Sequence, residues 1–429
     1  MKDAPEEIAT EIISTVPYLL EYQPTDSLVL VTFDRGESTI TFGPALRIDF
    51  TAEAVSDCTE EALLTPVCAL RRVTATECAM PVLFCDEKQA AVLQSRLPDS
   101  TGAERSAFAQ PLDFICEALH CAGFETFRPW WVSPFSYGTF DGRAQVGFVP
   151  QLASTRAVQQ LTLSNGAPHA SFSAAAALPA CDVDTERAID AARAAGHHRS
   201  DLHDAWLAEA LRYADLVESG EHHDLQALPQ PDPLAVLGLE DLCAQEWGRD
   251  AAQMLVCFEH SAFLPEDMRL LDPGEFGPYA EAVAPLAEAT ADVPGISERR
   301  PDARRTHYGI MLLKMMATYV SMDHLPAVLA LIAWMEWSVG RASFAQRFAR
   351  NALSFDSEHK LAHLVDYAVE SGTLPGWAKE PHVPGEQVSD DLLATASEAQ
   401  GPEENAWQDS SDGAGPMVLG WDDPPVLEG

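Results

Sequence analysis

The stretch "SLVLVTFDRGESTITFGPALRIDF", Ser27 to Phe50, decides the fold of the first part of the chain. Its first seven residues are a continuous apolar and β-branched run, which is typical of a strand buried on both faces. Asp34-Arg35-Gly36 is a turn signal, and Ser38 to Phe50 alternates between apolar and polar residues as a second strand does. We interpret the pair as a hairpin, and a parallel arrangement is the alternative.

The sequence around this hairpin switches repeatedly between helical and strand patterns. Apolar residues recur at helical spacing from Pro5 to Leu20, before the first strand. Further helices and strands are expected at Glu53 to Arg72, Met80 to Cys85, Glu87 to Leu97, Phe108 to Ala122 and "FETFRPWWV". Such alternation predicts an α/β or α+β domain over residues 1–150.

Residues 151–182 are rich in Ala, Ser, Gly and Pro and are expected to form a connector. From 183 to 379 we predict an all-helical domain, either a bundle or a short repeat-like array. Its helices are expected at Asp184 to Ala195, Leu202 to Ser219, Pro233 to Phe258, Glu275 to Ala291, Arg304 to Met322, Leu325 to Val339, Ser343 to Phe355 and Glu358 to Ser371.

The segment "GRASFAQRFARNALSFDS", from Gly340, is similar to the second half of a tetratricopeptide repeat. Gly340 takes the turn between helices, and Ala345 and Ala352 are the small residues that let helices approach closely. We therefore expect one repeat-like hairpin near 325–371. It is either a packing element or a peptide groove.

Charge excludes several classes of partner. The chain has 27 Lys and Arg against 66 Asp and Glu, a formal charge of −39. Phosphate recognition needs clustered basic residues, so general binding to nucleic acid or to anionic membranes is not expected. After Lys379 there are twelve acidic residues and no Lys or Arg. Residues 380–429 are therefore predicted to be a disordered acidic tail.

The tail ends in an apolar cluster that is a candidate docking motif, made of Met417, Val418, Leu419 and Trp421. It would bind a partner or fold back on its own body, and an inert tail is the alternative.

The cysteines and the apolar runs favour a cytoplasmic protein. The nine cysteines include no C-x-x-C pair, and most lie in apolar stretches as free buried thiols do. The first ten residues lack the pattern of a secretory signal. The longest apolar run, Leu325 to Met335, is far shorter than the roughly 20 residues that span a bilayer.

Four stretches of the chain resemble the actinobacterial domain of unknown function 4192. The first, "VPYLLEYQPTDSLVLV", is similar to the family's opening signature, except that Glu21 stands where a Gly is usual. Arg47-Ile48-Asp49 resembles its Arg-hydrophobe-Asp element and Arg249-Asp250 its Arg-Asp pair. "LALIAWMEWSVGRASFAQRFARNALSFDSEHKLAHLVDYAVESGTLP" resembles its C-terminal helical region. The chain has Trp130-Trp131 but lacks the cysteine loop that often follows. The family brings no assigned activity.

Common catalytic and cofactor motifs are missing from the sequence. It contains no G-x-x-x-x-G-K-[ST], G-x-G-x-x-G, G-x-S-x-G or H-E-x-x-H. We therefore predict no cofactor and no metal site.

The strand ends supply the candidate ligand site. Asp34, Asp49 and Asp86 each follow a predicted strand, so in a parallel sheet the three carboxylates would converge. In a hairpin, Asp34 and Asp49 lie at opposite edges. Arg47, Arg249 and Asp250 complete the candidate ligand-binding set.

The run "RRPDARR" is the one basic concentration in an acidic body and a candidate anion site. Its guanidinium groups belong to Arg299, Arg300, Arg304 and Arg305. They would bind a phosphate or carboxylate, or pair with the protein's own acids.

Two hypotheses follow. The first is a non-catalytic interaction or scaffold protein with a protein partner, so an enzyme is not favoured. The alternative is an enzyme or small-ligand-binding protein with its site between the two domains.

Overall fold

The apolar run after Asp26 forms strand β1 (Ser27–Arg35), and the alternating run forms β2 (Ile40–Asp49). The strands are antiparallel, with Ser27 opposite Asp49. The hairpin is therefore confirmed. The register shifts after Val31, where Gly43 lies against Thr32 and a Cβ on it would come within 2.5 Å of the Thr32 hydroxyl oxygen.

The computed structural model describes residues 6–36, 40–56, 59–94, 103–140, 147–165, 167–219, 229–244, 246–258, 295 and 299–378. The helix expected at 275–291 and the tail, with its candidate docking motif, lie outside the described residues.

The hairpin is part of a seven-stranded sheet with the order β2-β1-β3-β5-β6-β7, in which β4 also pairs with β3. β3 is antiparallel to β1 and parallel to β4 and β5, and the last two pairings are antiparallel. The additional strands are β3 (Cys78–Phe84), β4 (Glu125–Thr126), β5 (Trp130–Val132), β6 (Ser136–Thr139) and β7 (Gly147–Phe148).

Helices cover both faces of this sheet and then continue alone. Those up to the last strand are α1 (Glu6–Leu20), α2 (Ala52–Ser56), α3 (Glu60–Val73), α4 (Glu87–Gln94) and α5 (Ala103–Cys121). Three short ones follow, α6 (Val149–Leu152), α7 (Arg156–Asn165) and α8 (Phe172–Ala175). The longer ones are α9 (Val183–Ala195), α10 (Arg199–Ser219), α11 (Pro233–Cys243), α12 (Glu246–Phe258), α13 (Ala303–Ala317), α14 (Leu325–Ser338), α15 (Ala342–Phe355) and α16 (Lys360–Glu370). This order confirms the expected fold class, an α/β region followed by helices.

Side-chain alternation separates two apolar cores, one on each face of the sheet. Leu28 and Trp131 belong to the core under α3 and α5, while Val29 and Trp130 belong to the core under α1. The adjacent tryptophans therefore point to opposite faces of the sheet.

A third core is formed mainly by the later helices and also includes residues that precede those helices in the sequence. It contains α14 side chains such as Trp334, together with Tyr22 from just after α1 and Ala175 from α8. Residues 1–380 form one compact unit. Within the described residues, no helix has the length and apolar character needed to cross a membrane.

One predicted helix is wrong. The stretch expected as a single helix from Pro233 to Phe258 is divided into α11 and α12, with a turn at Ala244. Gly248 permits the division, because a Cβ there would lie 2.4 Å from the carbonyl oxygen of Leu242.

Candidate functional site

The antiparallel pairing of β1 with β2 and β3 separates the three predicted carboxylates. Asp34 lies at one end of β1, where its carboxylate accepts a hydrogen bond of 2.8 Å from the amide of Glu77. Asp49 and Asp86 lie at the other end, because β1 is antiparallel to both β2 and β3. Asp86 accepts a 2.7 Å bond from the amide of Gln89 and so caps α4. Asp34 and Asp49 therefore lie at opposite ends, as expected for the hairpin, and the convergence that a parallel sheet would give does not occur.

The two Arg-Asp elements lie apart, and each forms its own ion pair. Arg47 and Asp49 are 2.5 Å apart on β2, where Asp49 is largely exposed. Arg249 and Asp250 pair at 3.2 Å on α12, half-buried. The candidate ligand-binding residues thus fall into separate places.

Two members of the predicted anion site bind backbone oxygens. Arg305 donates to the carbonyls of Leu255 and Val256, at 3.3 and 3.4 Å, and Arg299 donates to that of Phe258 at 2.9 Å. These are the last carbonyls of α12, whose negative helix end favours cations. The two guanidinium groups therefore cap a helix.

The other two arginines of that run, Arg300 and Arg304, are exposed.

The most concentrated ionic group was missed by sequence reasoning. We call it the junction cluster: Glu21, Lys314, Glu336 and Arg341. Glu336 has no exposed surface and Lys314 is 4% exposed. Each had a visible signal, since Lys314 is the one charge in "GIMLLKMMA" and Glu336 the one charge in "LALIAWMEWS". A lone charge in a run that must be buried predicts a partner of opposite charge.

The junction cluster is a chain of alternating charges. Arg341 reaches Glu21 and Glu336, both at 2.9 Å, and Lys314 lies 3.7 Å from Glu336. Neither contact of Glu336 has hydrogen-bond geometry, so charge attraction holds its carboxylate. Lys314 also donates to the carbonyl of Ala175 at 3.2 Å. Two positive and two negative groups therefore tie the end of α1, α8, α13, α14 and the start of α15 together.

Burial dominates the proton affinities in this cluster. Desolvation lowers the pKa of Lys314, although the Glu336 carboxylate beside it acts in the opposite direction. Desolvation likewise raises the pKa of Glu336, against the opposing effect of Arg341 and Lys314. Both charged forms are costly at this position, so each depends on its neighbours.

The backbone at Glu21 is in the left-handed region, with φ of +64°. A glycine adopts this conformation without strain, whereas the Cβ of Glu21 disfavours it. The amide of His169 donates to the Glu21 carbonyl at 2.9 Å. The side chain of this residue is the one that pairs with Arg341.

Tyr22 directly follows Glu21, and its hydroxyl is affected by the charges of both Arg341 and the Arg47–Asp49 pair. Its ring packs edge-on against Phe172 and Phe344, 5.3 and 5.8 Å between centroids. Burial has the largest effect on this hydroxyl and raises its pKa. Tyr22 thus lies beside the junction cluster.

The junction cluster is closely packed. The Arg341 guanidinium lies 4.4 Å from the centroid of the Phe344 ring. A cavity of about 20 Å³, the room of one water, lies elsewhere among α10, α12 and α13. An open groove follows α1 near Glu6 and Thr155. Neither is lined by a residue of the junction cluster.

Two aromatic side chains lie open at the outer edge of the sheet. We call Phe135 and Phe148 the edge patch; they are 67% and 64% exposed. Phe148 is on β7, opposite Ser136, and the amide of Val149 donates to the carbonyl of Phe135 at 2.9 Å. The two residues are therefore neighbours, and in the described part of the chain no strand pairs with the far side of β7.

Across the described ranges, no three His, Cys, Asp or Glu side chains are grouped as metal ligands would be.

Comparison with known proteins shows one relationship. No curated protein and no solved structure matches the chain significantly. One family of sequences, described as Domain of unknown function (DUF4192), matches residues 10–268. The match includes Glu21, Tyr22, the Arg47–Asp49 pair and the edge patch, while Lys314, Glu336 and Arg341 lie beyond it. Because it covers more than half of the 429 residues, the chain belongs to the DUF4192 family.

Proposed function

We propose that the protein is a non-catalytic interaction protein that binds another protein through the edge patch. The observation that carries this proposal is the exposure of Phe135 and Phe148, two large apolar side chains on adjacent segments at the same end of the sheet. Exposed apolar patches of neighbouring residues mark interaction surfaces more often than single exposed residues do. Aromatic side chains are also the usual anchors of protein interfaces.

The ionisable groups support the same proposal. The carboxylates that could form a reaction centre are apart, and the buried junction cluster is balanced in charge and closely packed. We also propose a cytoplasmic location, which is supported by the eight described cysteines, all of them free thiols. An actinobacterial source rests on the resemblance and stays part of the proposal.

Site-specific photo-crosslinking in the source cells tests the proposal. Phe135 or Phe148 is replaced by the photoreactive benzoylphenylalanine, and Leu211, an exposed apolar residue on α10, is replaced as the matched control. We expect a discrete adduct of higher mass at both edge positions and none at the control. No adduct, or the same adducts at all three positions, would contradict the proposal.

A second candidate function is binding of a small anionic ligand between the sheet and the helices. It is favoured by Arg47, whose Nε atom is buried without a hydrogen-bond partner near the hydroxyl of Tyr22. A ligand carboxylate could satisfy this donor. The absence of a cavity at Tyr22 among the two described above makes it the weaker candidate.

A further inference from the structure

The edge patch is held beside acidic side chains. The hydroxyl of Ser133 donates to the carboxylate of Glu87 at 2.7 Å, and it accepts bonds from the amides of Phe135 and Ser136 at 3.4 and 3.0 Å. Ser133 thus shapes the turn that presents Phe135 and also places Glu87, at the start of α4, next to that turn. Phe135 and the Glu87 carboxylate are therefore separated only by the side chain of Ser133.

More acid lies along the same end of the sheet. Burial and, to a smaller extent, the negative charges of Asp86, Glu87 and Asp26 raise the pKa of the Cys85 thiol to about 12. Asp86 and Glu87 follow the end of β3, and Asp26 precedes Ser27, which lies opposite Phe84 of β3, so the three acidic residues lie close to the end of β3. Lys88 is the basic residue that follows them, so the rim of the edge patch is net negative.

The spacing of the strands determines how long a partner segment must be to cover this surface. Three strand spacings separate β3 from β7, about 14 Å at about 4.8 Å each. An extended segment rises about 3.3 Å per residue, so about five residues cross from the acidic rim to Phe148. β7 is two residues long and supplies little backbone pairing, so side chains must provide most of the contact.

We infer that the partner presents an extended segment of about five residues that combines apolar side chains with Lys or Arg. The apolar side chains cover Phe135 and Phe148, and the basic ones approach Asp86 and Glu87. Complementary charge adds selectivity and speeds association, while the aromatic anchors supply affinity. This inference rests on the proposed function.

Peptide binding measured by fluorescence anisotropy tests the chemistry of the partner. The probes are two labelled nonapeptides, one alternating Lys and Val and the other alternating Glu and Val, added to the full-length chain. We expect the Lys peptide to bind at least tenfold more tightly. The double variant Phe135→Ser/Phe148→Ser should weaken its binding tenfold or more.

A matched pair of variants distinguishes the effect of the charge on Glu87 from the effect of the protein's overall negative charge. Glu87→Gln keeps an oxygen acceptor for Ser133 and should weaken the Lys peptide about threefold or more. Glu186→Gln removes one exposed charge from α9 and should change binding less than twofold. Equal effects of the two variants, or equal binding of both peptides, would overturn the inference.

Failure of the inference can be told from failure of the proposed function. Crosslinks at Phe135 together with equal binding of both peptides would leave an interaction surface with a partner of different chemistry. A lack of crosslinks at Phe135 would remove the proposed function itself, whatever the peptides do.

Discussion

Neutralising Glu336 should destabilise the fold more than neutralising Lys314, because Glu336 has two cationic partners and Lys314 has one anionic partner. At an effective dielectric constant of about 20, attraction is about 6 kcal/mol for Arg341 at 2.9 Å and about 4.5 kcal/mol for Lys314 at 3.7 Å. Desolvation of each buried ion offsets several kcal/mol of this.

Glu336→Gln removes both attractions and leaves the Lys314 ammonium buried without its carboxylate. We expect a loss of about 3–5 kcal/mol in the free energy of unfolding. Lys314→Met keeps the ion pair between Glu336 and Arg341. Its main effect is to remove the hydrogen-bond donor to the carbonyl of Ala175. Its expected cost is about 1–3 kcal/mol, that of one unsatisfied buried acceptor.

Urea unfolding followed by circular dichroism measures both losses, and the double variant Lys314→Met/Glu336→Gln completes a cycle. The double variant should lose less than the sum of the single variants by about 1–3 kcal/mol. Equal losses for the two single variants, or additive losses in the double variant, would refute the reasoning.

The pH dependence has a defined sign. The pKa of Lys314 is lower in the folded chain than its ordinary 10.5, so its contribution to stability is present above pH 10.5 and is lost as pH falls through the folded pKa. Without Glu336 that pKa falls further. The gap in stability between wild type and Glu336→Gln should therefore narrow toward alkaline pH.

Three other predictions concern backbone and capping and are measured by thermal unfolding. Glu21→Ala should be less stable than Glu21→Gly by about 1 kcal/mol, because both lose the ion pair and only glycine removes the left-handed strain; the reverse order would contradict this. Gly238→Ala should cost about 3 kcal/mol, since its Cβ would lie 2.2 Å from the Leu202 carbonyl oxygen, and an unchanged midpoint would show that α10 and α11 are not so close. Arg305→Met should cost about 1–2 kcal/mol and the exposed control Arg300→Met less than about 0.5 kcal/mol, and equal effects would disprove the capping role.

Much of the fold follows from local pattern. The unbroken apolar run from Ser27 indicates a strand buried on both faces, and the alternating run after Gly36 indicates a strand with one more exposed face. Their short connection favours an antiparallel pair, which the structure shows. The position of β3 depends instead on pairing between Leu28 and Leu83, distant in sequence, and no local pattern specifies its direction. That direction is what separates Asp34 from Asp86.

The candidate site could be anticipated only in part. Arg47 and Asp49 were singled out from the sequence, and the structure shows them as an ion pair on β2. In the junction cluster, Arg341 comes from some 300 residues away, and only tertiary packing brings it to Glu21. The edge patch was missed because Phe135, in "PWWVSPFSY", has the composition of a core strand, and exposure of one aromatic among several is decided by the turn at Ser133.

Native mass spectrometry of the full-length chain isolated from its source cells tests the central claim most directly, with wild type beside Phe135→Ser/Phe148→Ser. The account predicts a complex with a second protein in wild type that is lost in the double variant, while the variant chain keeps its own mass. A small-molecule adduct of constant mass in both proteins, with no protein partner in either, would contradict it and would favour ligand binding near Arg47 and Tyr22.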